Sequence, residues 1–246
     1  MNKVYPSVEE AITDIQDGAR IAIGGFFTAG VPRFLLKALI DKGVKSLQLA
    51  TGCGALLGAP DELARLVDNK QLKVLMDSYG LYRSASKGMQ DPLEQAVQAG
   101  EVELRVYPMG TLAERLRAGA AGIPAFYTPT GAGSVVEDYI VSNIRAERRK
   151  KETRVFEGER YVLEHALKPD FAFIHAHTGD REGNLRYKLT ARNFNPVMAA
   201  ASRITIAEVE NLVEPGELGP DDIHTPGIYV QRVVVVPRVT FPVTID

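Results

Sequence analysis

The sequence predicts an α/β fold built on a largely parallel sheet, with antiparallel strands added in the C-terminal half. Two observations carry that expectation. Short apolar runs alternate with helix-patterned segments through the first half of the chain, and the connections between them are short. From residue 154 the alternation gives way to closely spaced strand runs, the first two meeting at Glu157-Gly158 as in a hairpin. The 246 residues are read as one domain, 1–246, long enough for a sizeable core.

Taken in order, the chain opens with MNKVYPSVEEAITDI, a short amphipathic segment with Ser7 and Glu10 spaced as a capping box rather than a secretory signal. Residues 21–23 form an apolar run suited to a buried parallel strand. After Pro32, Leu35, Leu36, Leu39 and Ile40 recur at helical spacing, and Gly43 suits the C-cap. Pro32 fits the first turn, where its missing N–H costs nothing. The intervening GGFFTAGV is therefore a strand-to-helix loop. Glycines there admit a ligand close to the backbone, and a helix N-terminus offers N–H donors to a phosphate or carboxylate. A tight turn that binds nothing explains the same residues, and the spacing matches neither the G-x-G-x-x-G fingerprint nor a P-loop.

Further strands are expected at 46–50, 72–76 and 102–106, and helices at 60–68, 93–98 and 111–119. RVFEGERYVLE is the hairpin, followed by strands FAFIHAH (171–177), RITIAEV (203–209) and IYVQRVVVV (228–236). There is no internal repeat and no low-complexity segment.

Composition narrows the function classes. With 45% hydrophobic and 24% charged residues, the chain is ordinary globular material. A net charge of −2 and a pI near 6.1 argue against nucleic acid as the main partner. One cysteine excludes an intrachain disulfide and suits a reducing compartment, so the expected location is the cytoplasm. No apolar run approaches a bilayer span, so no membrane partner is expected.

Candidate chemistry is sparse. His175 and His177 would share one face of a strand, with Asp180 and Glu182 following, but nothing completes an obvious ligand set, and no metal site is assigned. Cys53 follows a strand, where catalytic groups of α/β proteins gather, yet no histidine is paired with it in sequence. The G-x-S-x-G elbow is absent. GAGS (131–134) reads either as a second anion nest or as a turn. RAERRKK (145–151) reads as a solvated surface in preference to a phosphate patch. From its residues alone the chain looks like a binding half without its own nucleophile.

DGARIAIGGFFTAGVP (17–32) resembles, position by position, the first signature of the family I CoA-transferases. The resemblance continues through GTLAERLRAGAAGIPAFYTPTGAGS (110–134), DREGNLRYKLTARNFNP (180–196) and VEPGEL…HTPGIYVQRVV (213–234), covering essentially the full length. It is to the α (A) subunits of the 3-oxoacid and 3-oxoadipate type. The resemblance implies a largely parallel sheet with helices on both faces. It assigns Gly24, Gly25, Phe26, Phe27, Thr28, Ala29 and Gly30 to coenzyme A, with the helix start beyond Pro32 facing its anionic or thioester end. It places no catalytic residue in this chain. The nucleophile is a glutamate in a Ser-Glu-Asn-Gly motif of the β (B) subunit, in an α2β2 or similar heteromer. The nearest string here, Glu208-Val209-Glu210-Asn211, is followed by leucine and aligns with a non-catalytic strand.

The implied reaction is covalent and ping-pong, through an acyl-glutamyl anhydride and an enzyme-CoA thioester. Substrates are an acyl-CoA such as succinyl-CoA and a carboxylic 3-oxo acid. Coenzyme A is a substrate, and no permanently bound cofactor, metal or ATP is expected. Two departures stand out. Thr51-Gly52 replaces an Asn pair, and Met109 replaces a Gln ahead of Gly110. Thr51, Gly52, Met109 and Gly110 are the substrate-pocket candidates. The departures keep a CoA-thioester hydrolase or lyase on the same heteromer open as the alternative. A third reading is a regulatory subunit that binds CoA without turnover of its own.

Overall fold

The alternating elements assemble around β1 in a computed structural model that describes residues 2–54, 56, 59–79, 92–138, 141–142 and 150–238. In chain order the elements are α1 (Val8–Ala11), β1 (Arg20–Ile23), α2 (Arg33–Lys42), β2 (Leu47–Thr51), α3 (Pro60–Asp68), β3 (Leu72–Asp77), α4 (Pro92–Gln98), β4 (Glu103–Val106) and α5 (Met109–Ala120). They continue as β5 (Ala125–Thr128), α6 (Val135–Asp138), β6 (Val141–Ser142), β7 (Thr153–Phe156), β8 (Glu159–His165), β9 (Phe171–Asp180), β10 (Leu185–Arg186), α7 (Asn195–Ala201), β11 (Ile204–Val213) and β12 (Arg232–Val235).

The main sheet runs β12-β11-β9-β1-β2-β3-β4-β6, with β10 alongside β9. It is parallel apart from β6 and β10. A separate antiparallel sheet, β5-β8-β7, contains the hairpin, which turns through positive φ at Glu157 (51°) and Gly158 (83°). After that hairpin the chain returns to the parallel sheet, and β9 inserts beside β1. Two expectations change in extent. The strand foreseen at 228–236 shrinks to Arg232–Val235, because Gly227–Tyr229 form a 3-10 turn. β9 and β11 instead run on to Asp180 and Val213, pairing with each other beyond the end of β1.

Alternate strand residues feed two cores. Ile21, Ile23, Phe171, Phe173 and Ile206 face α1 to α4. Ala22, Ala50, Ala172, Ala176 and Ala207 face α5 and α7. The small residues on the second face let helices approach the sheet closely, while branched and aromatic residues fill the first. Among the described residues no helix is long and apolar enough to cross a membrane.

Connections from β1 lead outward through β2, β3 and β4 on one side and are answered by β9 on the other. The carboxyl ends of β1 and β9 thus form a topological switch point, where open α/β sheets place ligands.

Candidate functional site

β1 stops at Ile23, level with Phe173 of β9, and Gly24 N donates to Phe173 O (2.9 Å) before the chain turns away. β9 and β11 continue past it, with His175 directly opposite Glu208. Both side chains lie on the α2 face of the sheet. Glu208 is 1% exposed, and its Oε2 accepts the amides of Phe34 and Leu35 (3.1 Å each) in the first turn of α2. Its Oε1 meets His175 Nδ1 at 2.9 Å, and His175 Nε2 meets Glu210 Oε1 at 3.2 Å. Leu36 N donates to Pro32 O (3.1 Å). The helix start that the sequence offers to an external anion is therefore capped from within, by a carboxylate 174 residues away. Burial pushes the Glu208 carboxyl up against the pull of His175 and the two amides. Burial opposes charge on His175 as well, but Glu208 and then Glu210 outweigh it and raise the ring above the usual histidine value.

The glycines of the 24–30 loop make room first for the protein itself. A Cβ at Gly24 would sit 1.9 Å from Asn195 Oδ1, and one at Gly30 would sit 2.8 Å from Asn195 Nδ2. Gly52 is likewise pressed against the Phe194 ring, 2.2 Å from where its Cβ would be. Asn195 is fully buried; its Oδ1 accepts His175 N (3.1 Å), and its Nδ2 donates to Gly30 O (3.1 Å) and Ala191 O (2.8 Å). Asn193 Nδ2 adds a bond to Ala29 O (3.0 Å). The loop folds back on itself where Phe26 and Ala29 exchange backbone hydrogen bonds of 3.0 Å around Phe27 and Thr28, with Phe27 at φ 48°. Gly25, at φ 113°, would bring a Cβ within 2.7 Å of Val31. Thus two stretches far apart in sequence, 24–30 and 193–196, lock into one unit.

Beside this loop, Thr51 is fully buried at the end of β2 and donates its hydroxyl to Asp77 Oδ2. Asp77 Oδ1 accepts Ser78 N (2.6 Å), Tyr79 N (2.9 Å) and Gly54 N (3.4 Å), while burial pushes the carboxyl up. Burial, and then the Asp77 charge, push the buried Cys53 thiol up too, which favours the inert thiol over a thiolate. Phe27 N donates to Cys53 O (3.2 Å). Phe26, Phe27 and Tyr79 line up with ring centroids 5.5 and 6.0 Å apart, and Phe26 and Tyr79 are exposed, making an aromatic lip.

α5 begins on the same edge of the sheet, after β4. Met109 is its first residue, 42% exposed, and a Cβ at Gly110 would meet no atom of the described residues within 4 Å. Pro108 supplies no side-chain cap, and its carbonyl takes the amide of Leu112 (2.9 Å). The amides of Met109, Gly110 and Thr111 have no partner among the described residues, nor does the buried Thr111 hydroxyl. Among the described residues this helix N-terminus, unlike that of α2, is open.

The remaining sequence candidates resolve locally. The GAGS turn gives Gly133 N to Glu137 Oε2 (2.6 Å), and Arg160 pairs with the same carboxylate, so an internal group fills the nest. His177 Nδ1 lies 2.8 Å from Thr178 Oγ1, and no group among the described residues suits a metal. Asp180 closes a turn by accepting the amides of Glu182 and Asn184 (2.9 Å each). Most of RAERRKK lies outside the described residues; Lys151 pairs with Glu164 at 2.5 Å. Sequence reasoning missed Phe194, Asn195 and the capping role of Glu208. The one signal for Glu208 was an acidic residue inside an otherwise uncharged, largely apolar strand, ITIAEV.

A family model described as coenzyme A transferase matches residues 5–236. The chain is 46% identical over 248 aligned positions to the A subunit of a probable succinyl-CoA:3-ketoacid coenzyme A transferase of Mycobacterium tuberculosis (strain ATCC 25618 / H37Rv), covering 97% of this chain and 95% of that one. It is 41% identical to the A subunit of the succinyl-CoA:3-ketoacid coenzyme A transferase of Helicobacter pylori (strain J99 / ATCC 700824), covering 95% and 92%. Among solved structures, it resembles an acyl-CoA transferase from E. coli O157:H7 in a thioester complex with CoA, with a TM-score of 0.80 at 22% identity. That match covers 97% of this chain and 48% of the E. coli chain, so this chain spans about half of it and shares its fold.

Proposed function

The chain belongs to the coenzyme A transferase family, and from that premise we propose that it is the α subunit of a heteromer that moves CoA from an acyl-CoA, such as succinyl-CoA, to a 3-oxo acid. Its partner is a β subunit, whose Ser-Glu-Asn-Gly glutamate is the nucleophile, in an α2β2 or similar assembly. The observation that carries this reading is a division of labour at the carboxyl edge of the sheet. The buried carboxylates Asp77, Asp180 and Glu208 already accept backbone amides, whereas the start of α5 presents amides with no partner among the described residues. Such an edge is built to bind and polarise a substrate rather than to attack it.

In the reaction, the partner's carboxylate adds to the acyl carbonyl, and CoA leaves as thiolate, giving an acyl-glutamyl anhydride. The thiolate then attacks the glutamyl carbonyl, releasing the first carboxylic acid and forming a glutamyl-CoA thioester. The acceptor carboxylate attacks that thioester, and the returning thiolate cleaves the new anhydride to release the product acyl-CoA and free glutamate. Two roles fall to this chain. The 24–30 loop, with Phe26, Phe27 and Tyr79, walls the CoA arm. The amides at Met109, Gly110 and Thr111 face the oxygen that becomes negative as each tetrahedral intermediate forms; one such donor is worth about 10²–10³ in rate. Main-chain donors here replace the side-chain amide that Met109 lacks.

Met109 also favours one second reading, thioester hydrolysis or a lyase reaction on the same scaffold. A single set of assays separates the readings. The chain purified alone should transfer no CoA, and addition of the β subunit should produce 3-oxoacyl-CoA from succinyl-CoA and the 3-oxo acid with ping-pong kinetics. Thioester loss at full rate with no acceptor present would establish the hydrolase. Transfer by the single chain, with no partner detectable by mass spectrometry, would overturn the heteromeric assignment.

A further inference from the structure

Two independent restraints on the CoA loop converge on one residue outside the sequence motifs. We propose that His175 is a positioning residue for this site: its ring holds Glu208 across the first turn of α2, while its backbone amide holds Asn195 between Gly24 and Gly30. The proposal rests on the reading of 24–30 as the CoA loop.

The geometry gives the loop two anchors. Asn195 bonds Gly30 O and lies in van der Waals contact with Gly24, and its free rotation is stopped by the bond from His175 N. Beyond the loop, Glu208 fixes the amides of Phe34 and Leu35, and the orientation of its carboxylate is set by His175 Nδ1. The ring thus governs the α2 end of the loop, while the β9 backbone amide at position 175 holds Asn195 whichever side chain stands there.

Both ring nitrogens face carboxylates, so the cation satisfies both and the neutral ring only one. The charged groups around the ring are Glu208 and Glu210 from β11, with Arg238 Nε 3.9 Å from Glu210 Oε2. From α2 come the amides of Phe34 and Leu35, and the neighbouring Arg33 pairs with Glu62 at 2.7 Å. The α7 side contributes the neutral Asn195. Because Glu208 and Glu210 raise the ring above the ordinary histidine value, the clamp is intact below that raised value for as long as the Glu208 carboxyl stays ionised. It is lost as pH rises through that raised value.

The test uses the reconstituted complex with its β subunit, in wild-type and His175→Gln forms, over about pH 6 to 9. In the wild type, KM for the acyl-CoA should rise about tenfold on the alkaline side, the scale of one charge-assisted hydrogen bond. His175→Gln should show the raised KM at every pH, without the inflection, and kcat within about twofold of wild type. Hydrogen exchange at Phe34 and Leu35 should quicken in the variant and, in the wild type, beyond the intrinsic rate increase at high pH. The same KM inflection in His175→Gln as in wild type, or unchanged exchange at Phe34 and Leu35, overturns the proposal. Should His175→Gln fail to assemble, Glu210→Gln removes one of the two carboxylates that favour the cation and should move the inflection to lower pH; an unmoved inflection overturns the proposal. A wild-type complex that transfers CoA from no donor refutes the functional reading, while the exchange data still decide whether the His175 ring holds Glu208 on α2.

Discussion

The α2 helix meets the carboxyl edge of the sheet with the amides of Phe34 and Leu35 3.1 Å from Glu208, whereas α5 meets the same edge with the amides of Met109, Gly110 and Thr111 unpartnered among the described residues. In sequence the two starts look alike. Each follows a strand, each has a proline at the N-cap (Pro32 and Pro108), and neither has a side-chain cap from its neighbours. A local reading favours α2 as the anion site because its loop is richer in glycine. Among the described residues the contacts favour the opposite choice, since a helix dipole already facing a buried carboxylate repels a second anion, while an unpartnered first turn attracts one. Glycine content reports close approach but not what approaches. At Gly24 and Gly30 it is Asn195, and at Gly52 it is Phe194.

The largest effect that bears on this contrast comes from emptying the closed helix start. Glu208→Ala leaves the amides of Phe34 and Leu35 without their acceptor and His175 Nδ1 without its carboxylate, and should destabilise the chain by about 3–5 kcal/mol. Urea denaturation followed by circular dichroism measures it. A loss below about 1 kcal/mol, the net worth of an ordinary hydrogen bond, would mean that α2 does not depend on its internal cap.

Next comes removal of a donor from the open helix start. Pro108 has φ −55° and ψ 136°, which suits a residue preceding proline, so Met109→Pro fits the first helical position. The helix should keep its stability while kcat of the reconstituted complex falls about 100-fold, the cost of one oxyanion donor. Full activity in a stably folded Met109→Pro variant would move the oxyanion away from the Met109 amide.

A smaller effect sharpens the role of the Met109 side chain beside those amides. If the thioether lines an apolar acyl pocket, Met109→Gln should lower kcat/KM for apolar acyl-CoAs about tenfold and change succinyl-CoA use much less. Steady-state kinetics with both donors decide. A gain with every donor would instead show that the side-chain amide supplies a donor the backbone does not replace.

How far the fold was legible follows from the range of the forces involved. Helix 60–68 appears with the bounds read from sequence because Pro60 at its start and Leu63 and Leu66 at helical spacing act within two turns. Gly43 ends α2 at φ 78°, and Glu157-Gly158 turns the hairpin, each through backbone preferences of one or two residues. Ser7 Oγ accepts Glu10 N at 3.2 Å, as the capping-box spacing requires. The misjudged extents lie where partners are distant. β9 and β11 outrun their apolar runs because each pairs with the other past β1, and the 228–236 run is cut short where Gly227 closes to within 2.3 Å of Glu182 O, measured from where its Cβ would be.

The sequence by itself determined the parallel α/β class, most helix bounds, the hairpin, and the membership signalled by four ordered motifs, because periodicity, turn chemistry and capping are decided by neighbours along the chain. Tertiary structure alone decided which helix start is spent and which, among the described residues, is free. It also decided that Asn195 occupies the room the glycines make, and that His175 sits between Glu208 and Glu210. Those outcomes depend on which residues β9, β11 and α7 bring to the end of β1, and a hydrogen bond across 174 positions leaves no periodic trace in the sequence.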